Sequence, residues 1–311
     1  MLDDVSNPSP ASAQRTPEAF TETVMLARGT QGPLVGILAR PRSTEKVAVV
    51  IVAGQPQTRI GAHRMFVSLA RELAAAGIAS LRFDCGGWGD SPGEPLPFEE
   101  SAGDITAAAV AFRAELEPDT RLVVFGLCDG ASAAVLSLDA LREKAIAVDA
   151  LCLVNPWVRA EAGHAEAMLR TYYLRRILEP EMWRKLLTGR IGIGNLLAPG
   201  RYLLRLLRSK ADRGNANGGE ADGNPVPTDL PTQLIRALAR HPDLPVWTIL
   251  SGDDLTAGET EALLRAHSNW RERLDRGPNR IYRIEGADHT FTEPSKWRAD
   301  IDWFAGQCTR L

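Results

Sequence analysis

Residues 123–136 read VVFGLCDGASAAVL, and how that stretch is read decides the fold. Its first part belongs to RLVVFG (121–126), an apolar run rich in β-branched residues, as a strand buried on both faces requires. Its second part opens DGASAAVLSLDALR (129–142), whose apolar residues recur at helical spacing. Between them stands Cys128, flanked by Gly126 and Gly130 in the pattern G-x-C-x-G. A turn that passes from strand to helix within one residue is tight. Side chains at the two flanking positions would collide with the neighbouring strand and helix, which is why glycine stands there. The turn lifts the Cys128 side chain above the sheet edge at a helix N-terminus, a place that favours negative charge and lowers a thiol pKa. Asp129 opposes this through its own charge.

Working outward, the same alternation continues in both directions. FTETVMLA (20–27) and PLVGILAR (33–40) are short runs separated by RGTQG, a hairpin signal. Further strands are predicted at 47–54, 79–84, 148–156, 245–250 and 279–286. Helices are predicted at 65–77, 105–116, 259–274 and 293–308. A hairpin followed by six strands that alternate with helices is an α/β architecture, with an eight-stranded, mostly parallel sheet and helices on both faces. Residues 157–243 break the rhythm. Two helical patterns, 164–187 and 200–210, run into a Gly/Asn/Asp/Pro-rich stretch near 210–232 that is expected to be mobile. The segment reads as a helical cap inserted after the sixth strand, over the carboxyl ends where such sheets bind ligands. The expected organisation is a flexible tail at 1–19, a core at 20–156 and 244–311, and the cap at 157–243.

Composition removes several function classes. A net charge of −3 gives no global reason to expect nucleic acid. The four cysteines lack CxxC spacing, so no zinc site is expected, and no other metal or organic cofactor is implied. The first twenty residues are polar and proline-rich, without the apolar core of a signal peptide, and no apolar run is long enough to span a bilayer. These features predict a soluble, cytoplasmic protein.

A nucleophile at position 128 needs a base, and the base needs a carboxylate to orient it. His289 follows the last predicted strand in GADHTF, and Asp253 and Asp254 follow the strand before it in SGDDLT. Asp254 is the first choice of acid and Asp253 the second. The order nucleophile, acid, histidine is that of α/β-hydrolases, and G-x-C-x-G is the cysteine form of their nucleophile elbow. The backbone N–H groups of Gln55 and Asp129 are the expected oxyanion donors. His63 and Arg64, at the start of a helix, are candidates for substrate contact. Cys152 reads as a buried apolar residue. Cys85 lies in a glycine-rich loop that can approach the site. His164 can face the pocket, though nothing demands it, and His241 and His267 are expected on solvated segments.

The elbow GLCDGASAA, the loop AGQPQTRIGAHRMFVSLARELAAAGI, the segment LRFDCGGWGDSPGE and the run YYLRRILEPEMWRKLLTGRI together resemble the exosortase A system-associated α/β-hydrolases, type 1. The resemblance covers most of the chain from about residue 20. It implies an α/β-hydrolase fold with a cysteine nucleophile. One position departs from the family pattern: Gly86 stands in DCGGWGDS where arginine is usual.

The predicted cap is strongly basic. Residues 170–213 carry eleven Lys and Arg against three acids. This is either a solvated face or a docking surface for an acyl carrier protein, coenzyme A or a membrane surface. Tyr172 and Tyr173 lie in the same run and are candidates for substrate contact. The expected function is acyl hydrolysis, of thioesterase or esterase type, through Cys128, His289 and Asp254 and an acyl-thioester intermediate. An acyltransferase or condensing enzyme is the alternative. A third reading is a hydrolase-fold binding protein with an idle triad.

Overall fold

The computed structural model describes residues 20–42, 46–158, 229–266, 271 and 279–311. The expected cap helices, the expected mobile stretch up to 228, Tyr172, Tyr173, His164, His267 and the basic run all lie outside the described residues. The chain divides into two units, and the one described here comprises 1–158 and 231–311.

Eight strands form one sheet in the order β1-β2-β4-β3-β5-β6-β7-β8. They are β1 (Phe20–Arg28), β2 (Pro33–Pro41), β3 (Val47–Val52), β4 (Ala79–Phe83), β5 (Arg121–Leu127), β6 (Ala150–Val154), β7 (Val246–Ser251) and β8 (Arg280–Ile284). The helices are α1 (Met65–Ala75), α2 (Ala102–Arg113), α3 (Asp129–Leu136), α4 (Leu138–Glu143), α5 (Leu230–Ala239), α6 (Leu255–Ala266) and α7 (Pro294–Cys308). The β1–β2 hairpin is antiparallel, as is its junction with β4, and every later pairing is parallel.

The sequence explains this layering. Every residue of β3, β4, β6 and β7 is buried, as near-continuous apolar runs demand when both faces of a parallel sheet are covered. Alternate residues point to opposite faces. Val49, Ile51, Val123, Phe125, Cys152 and Ile249 share one core with α1 and with Trp297, Ile301 and Phe304 of α7. α2 and α3 pack on the sheet through the other face, and α4 packs on both of them. Arg82, a charge inside a buried strand, is tolerated because its guanidinium donates to Glu22 Oε1 of β1 at 3.0 Å.

Several boundaries differ from the sequence reading. The helix expected at 259–274 begins at Leu255, because the Asp254 carboxylate accepts the N–H groups of Thr256 and Ala257 at 3.2 and 3.1 Å and starts the helix early. The helix expected at 129–142 is divided at Ser137, whose hydroxyl donates back to the Ala134 carbonyl. Residues 230–239, assigned by sequence to the insertion, form α5 and bury Leu234, Ala237 and Leu238.

One buried acid faces this core without a partner. Asp300 of α7 is 1% exposed, and neither carboxyl oxygen accepts a hydrogen bond among the described residues. Burial pushes it well above the usual carboxylate range. A proton therefore stays on Asp300 in the folded chain at a pH where the unfolded chain has released it. Stability from this group is complete below about pH 4 and declines as pH rises toward the folded-state value. Asp300→Asn removes the titration. Relative to that variant, the wild type is expected to lose up to about 1.4 kcal/mol per pH unit above about pH 4. Urea unfolding at a series of pH values measures the difference, and a constant offset would contradict the account.

Candidate active site

The switch in strand order falls between β3 and β5: the chain leaves β3 for β4 on one side and returns to β5 on the other. Ligand sites of open parallel sheets form at such points, outside the carboxyl ends of the strands. Cys128 follows the last residue of β5 there.

Its backbone is at φ 58° and ψ −125°, a region L-residues rarely occupy and one that costs on the order of 1–3 kcal/mol. Both flanking glycines are required by their surroundings. A Cβ on Gly126 would stand 2.6 Å from backbone atoms of Ala131 and Gly130, and one on Gly130 would stand 2.7 Å from the Val52 carbonyl. The turn is held from outside as well. Cys128 N–H donates to Val154 of β6 at 2.9 Å, and the Cys128 carbonyl accepts from Trp157 at 3.1 Å. The side chain is half-buried, next to the apolar core.

His289 lies beyond β8 and Asp254 beyond β7, and the structure brings them together. Imidazole Nδ1 stands 2.9 Å from Asp254 Oδ2. Asp254 is nearly buried, at 8% side-chain exposure, and its two oxygens are fixed by the α6 amides already described. Asp253 is exposed, and its N–H donates to the Ala287 carbonyl at 2.9 Å, which ties the β7 and β8 loops side by side.

A residue that the sequence did not single out holds this corner. Asn155, buried and at φ 43°, follows β6. Its Oδ1 accepts the Ser251 N–H at 2.8 Å, and its Nδ2 donates to Ser251 Oγ at 2.9 Å and to the His289 carbonyl at 3.4 Å. It thus links the ends of β6 and β7 to the histidine loop. A lone asparagine in VNPW carries no sequence signal for this.

The loop after β3 supplies the other wall. Gln55 follows β3, with its side-chain amide donating to the Leu96 carbonyl at 2.8 Å and its backbone N–H donating to Asp129 Oδ1 at 2.9 Å. The backbone amide expected to hold an oxyanion therefore faces a carboxyl group. His63 and Arg64 are both exposed and both left-handed, at φ 52° and 62°. His63 lies near the histidine loop. Burial pushes Asp288 up, but hydrogen bonds from Thr292 and Thr290, with the nearby His63, hold it below the usual carboxylate range.

The remaining candidates differ in their surroundings. Cys152 is fully buried, and burial pushes its thiol well above the usual range. Burial, followed by the charges of Asp104, Asp84 and Asp129, pushes Cys85 up to about 12, so it remains a neutral thiol. His241, expected to be solvated, is half-buried with Nε2 3.1 Å from Asp139 Oδ1. Gly86 donates its N–H to Asp104 Oδ2 at 2.8 Å, and Asp84 pairs with Arg59 of the loop after β3. Among the described residues no cluster of three His, Cys, Asp or Glu side chains is arranged to hold a metal ion, and no helix is long and apolar enough to cross a membrane.

A sequence profile described as "Alpha/beta hydrolase family" matches residues 49–300. No curated protein matches the chain. Among solved structures it is similar to the Pyrococcus furiosus esterase Pf2001, at TM-score 0.61 and 15% identity over 98% of this chain and 99% of that one. It is also similar to a dienelactone hydrolase from Anabaena variabilis ATCC 29413, at TM-score 0.56 and 16% identity over 94% of this chain and 99% of the other. At these identities the likeness is one of fold.

Proposed function

The chain belongs to the alpha/beta hydrolase family, and on that premise we propose that it is an acyl hydrolase of thioesterase or esterase type acting through Cys128, His289 and Asp254. The observation that carries the reading is the strained backbone of Cys128 between two glycines that admit no Cβ. Strain of this kind persists where the surrounding structure over-determines it, and function is the usual reason. The 2.9 Å contact between His289 and Asp254, at the two neighbouring strand ends, supports the same reading.

Each group has one task. Asp254 accepts Nδ1–H and so leaves Nε2 as the basic nitrogen of His289. Nε2 takes the proton of Cys128 as sulfur attacks the acyl carbonyl. The C–S bond forms and the carbonyl π pair moves to oxygen, where backbone N–H groups after β3 and at α3 stabilise it. Collapse expels the leaving thiol or alcohol, which takes the proton from His289. Water, deprotonated by the same imidazole, then releases the acid and restores the thiol.

Sulfur at the elbow also favours a second reading, acyl transfer. The acyl-enzyme is itself a thioester, nearly isoenergetic with a thioester substrate, and amines and thiols compete with water for it better than they do for an oxygen ester. A carrier protein or coenzyme A docked on the basic 170–213 run would supply such a substrate. The fate of the acyl-enzyme separates the two readings. Isolated acyl-enzyme is expected to decay in buffer to free acid as fast as substrate turns over. An adduct that survives in water and discharges only to an added amine, thiol or alcohol would make the protein a transferase.

A further inference from the structure

Next to the thiol, a second acid lies where an acyl oxygen has to enter. Asp129 opens α3, and its side chain turns back toward the end of β3, where Oδ1 accepts the Gln55 N–H at 2.9 Å. The fit is close: a Cβ on Gly54 would stand 2.5 Å from that same oxygen, so glycine at 54 makes the space for the carboxyl. The group also faces the N–H of Gly130 and its own N–H. Gln55 and Asp129 supply the two amides that the functional reading assigns to the oxyanion. A carboxylate has the charge and the acceptor geometry of that oxyanion, and it satisfies the donors before substrate arrives.

We propose that the Asp129 side chain is a protonation-controlled plug of the oxyanion hole, closed on the Gln55 amide as the carboxylate and yielding that amide to an acyl oxygen as the neutral acid. The inference rests on the functional reading above, which gives the Gln55 amide its task. Burial, reinforced by Glu99, pushes Asp129 up to about 7 against the pull of the amides. The ionisable groups that face it are Glu99 from the 98–100 turn, Cys85 from the loop after β4, and Cys128 before it. Cys85 stays neutral, so Glu99 is the neighbouring charge that resists ionisation of Asp129. A hydrogen bond to the neutral acid is roughly half as strong as one to the carboxylate, so a developing oxyanion displaces only the neutral form readily. Rising pH therefore closes the hole.

The test compares two reactions of one thiol. Acylation by the butyryl thioester of N-acetylcysteamine needs the hole; alkylation by iodoacetamide needs only the thiolate. Both rates are followed by intact mass for the wild type, Asp129→Asn and Asp129→Ala, from about pH 5.5 to about 9.5. The wild-type ratio of acylation to alkylation is expected to fall by up to about tenfold per pH unit above about 7. In Asp129→Ala the ratio should be independent of pH and exceed the wild type by about tenfold or more near pH 9. Asp129→Asn should be equally flat but lower, since its amide oxygen still occupies Gln55. A flat wild-type ratio, or an alanine ratio that tracks the wild type, would overturn the plug. Alkylation without acylation in all three proteins at every pH would overturn the functional reading instead, and the plug with it.

Discussion

Cys128→Ala is expected to lower turnover of an acyl thioester by roughly 10⁴- to 10⁶-fold while leaving the fold intact. The magnitude follows from the covalent route: without sulfur there is no acyl-enzyme, and only binding and backbone donors remain to assist water. The fold should survive because the half-buried side chain loses only its sulfur. Alanine also meets the same penalty at φ 58° that cysteine already meets. Circular dichroism and urea unfolding should therefore match the wild type. Activity within tenfold of the wild type would remove Cys128 from the chemistry.

The second large effect is expected at the acid. Asp254→Asn should lower kcat by about 10⁴-fold, with KM little changed, because an amide NH₂ can face Nδ1 and favour the wrong tautomer of His289. The substitution is sterically conservative. With the NH₂ at the Oδ2 position, the asparagine carbonyl can still accept from Thr256, so α6 keeps one of the two bonds at its start and loses the one from Ala257. The neighbouring acid is the control: Asp253 is exposed, and Asp253→Asn should change kcat by less than about threefold, since surface substitutions without a specific partner have small effects. Equal losses from both variants would mean that the loop, and not the 2.9 Å contact with His289, is what matters.

These predictions depend unequally on sequence and structure. The elbow was legible because three signals coincide in fourteen residues: a β-branched run, a glycine on each side of the cysteine, and a helical pattern after it. The eight strands and the mostly parallel sheet were legible from the same alternation. The choice between Asp253 and Asp254 was not legible. Both follow β7 within three residues, and only the path of the loop, tied to Ala287 through the Asp253 N–H, decides which one reaches His289. Asn155 was invisible because its partners, Ser251 and the His289 carbonyl, lie 96 and 134 residues away in the chain. Asp129 was read only as a charge next to the thiol; its contact with Gln55 spans 74 residues and depends on β3 and β5 being neighbours. Local propensity reports on elements; what closes a site is a matter of which strand ends meet.

The most direct test of the central claim is an acid-quenched intact mass spectrum taken within one turnover of mixing with an acyl thioester, followed by peptide mapping. The account predicts a single acyl addition on the peptide that contains Cys128, absent from Cys128→Ala and slow to form in His289→Ala. Turnover with no addition at Cys128, or an adduct carried by another residue, would contradict it.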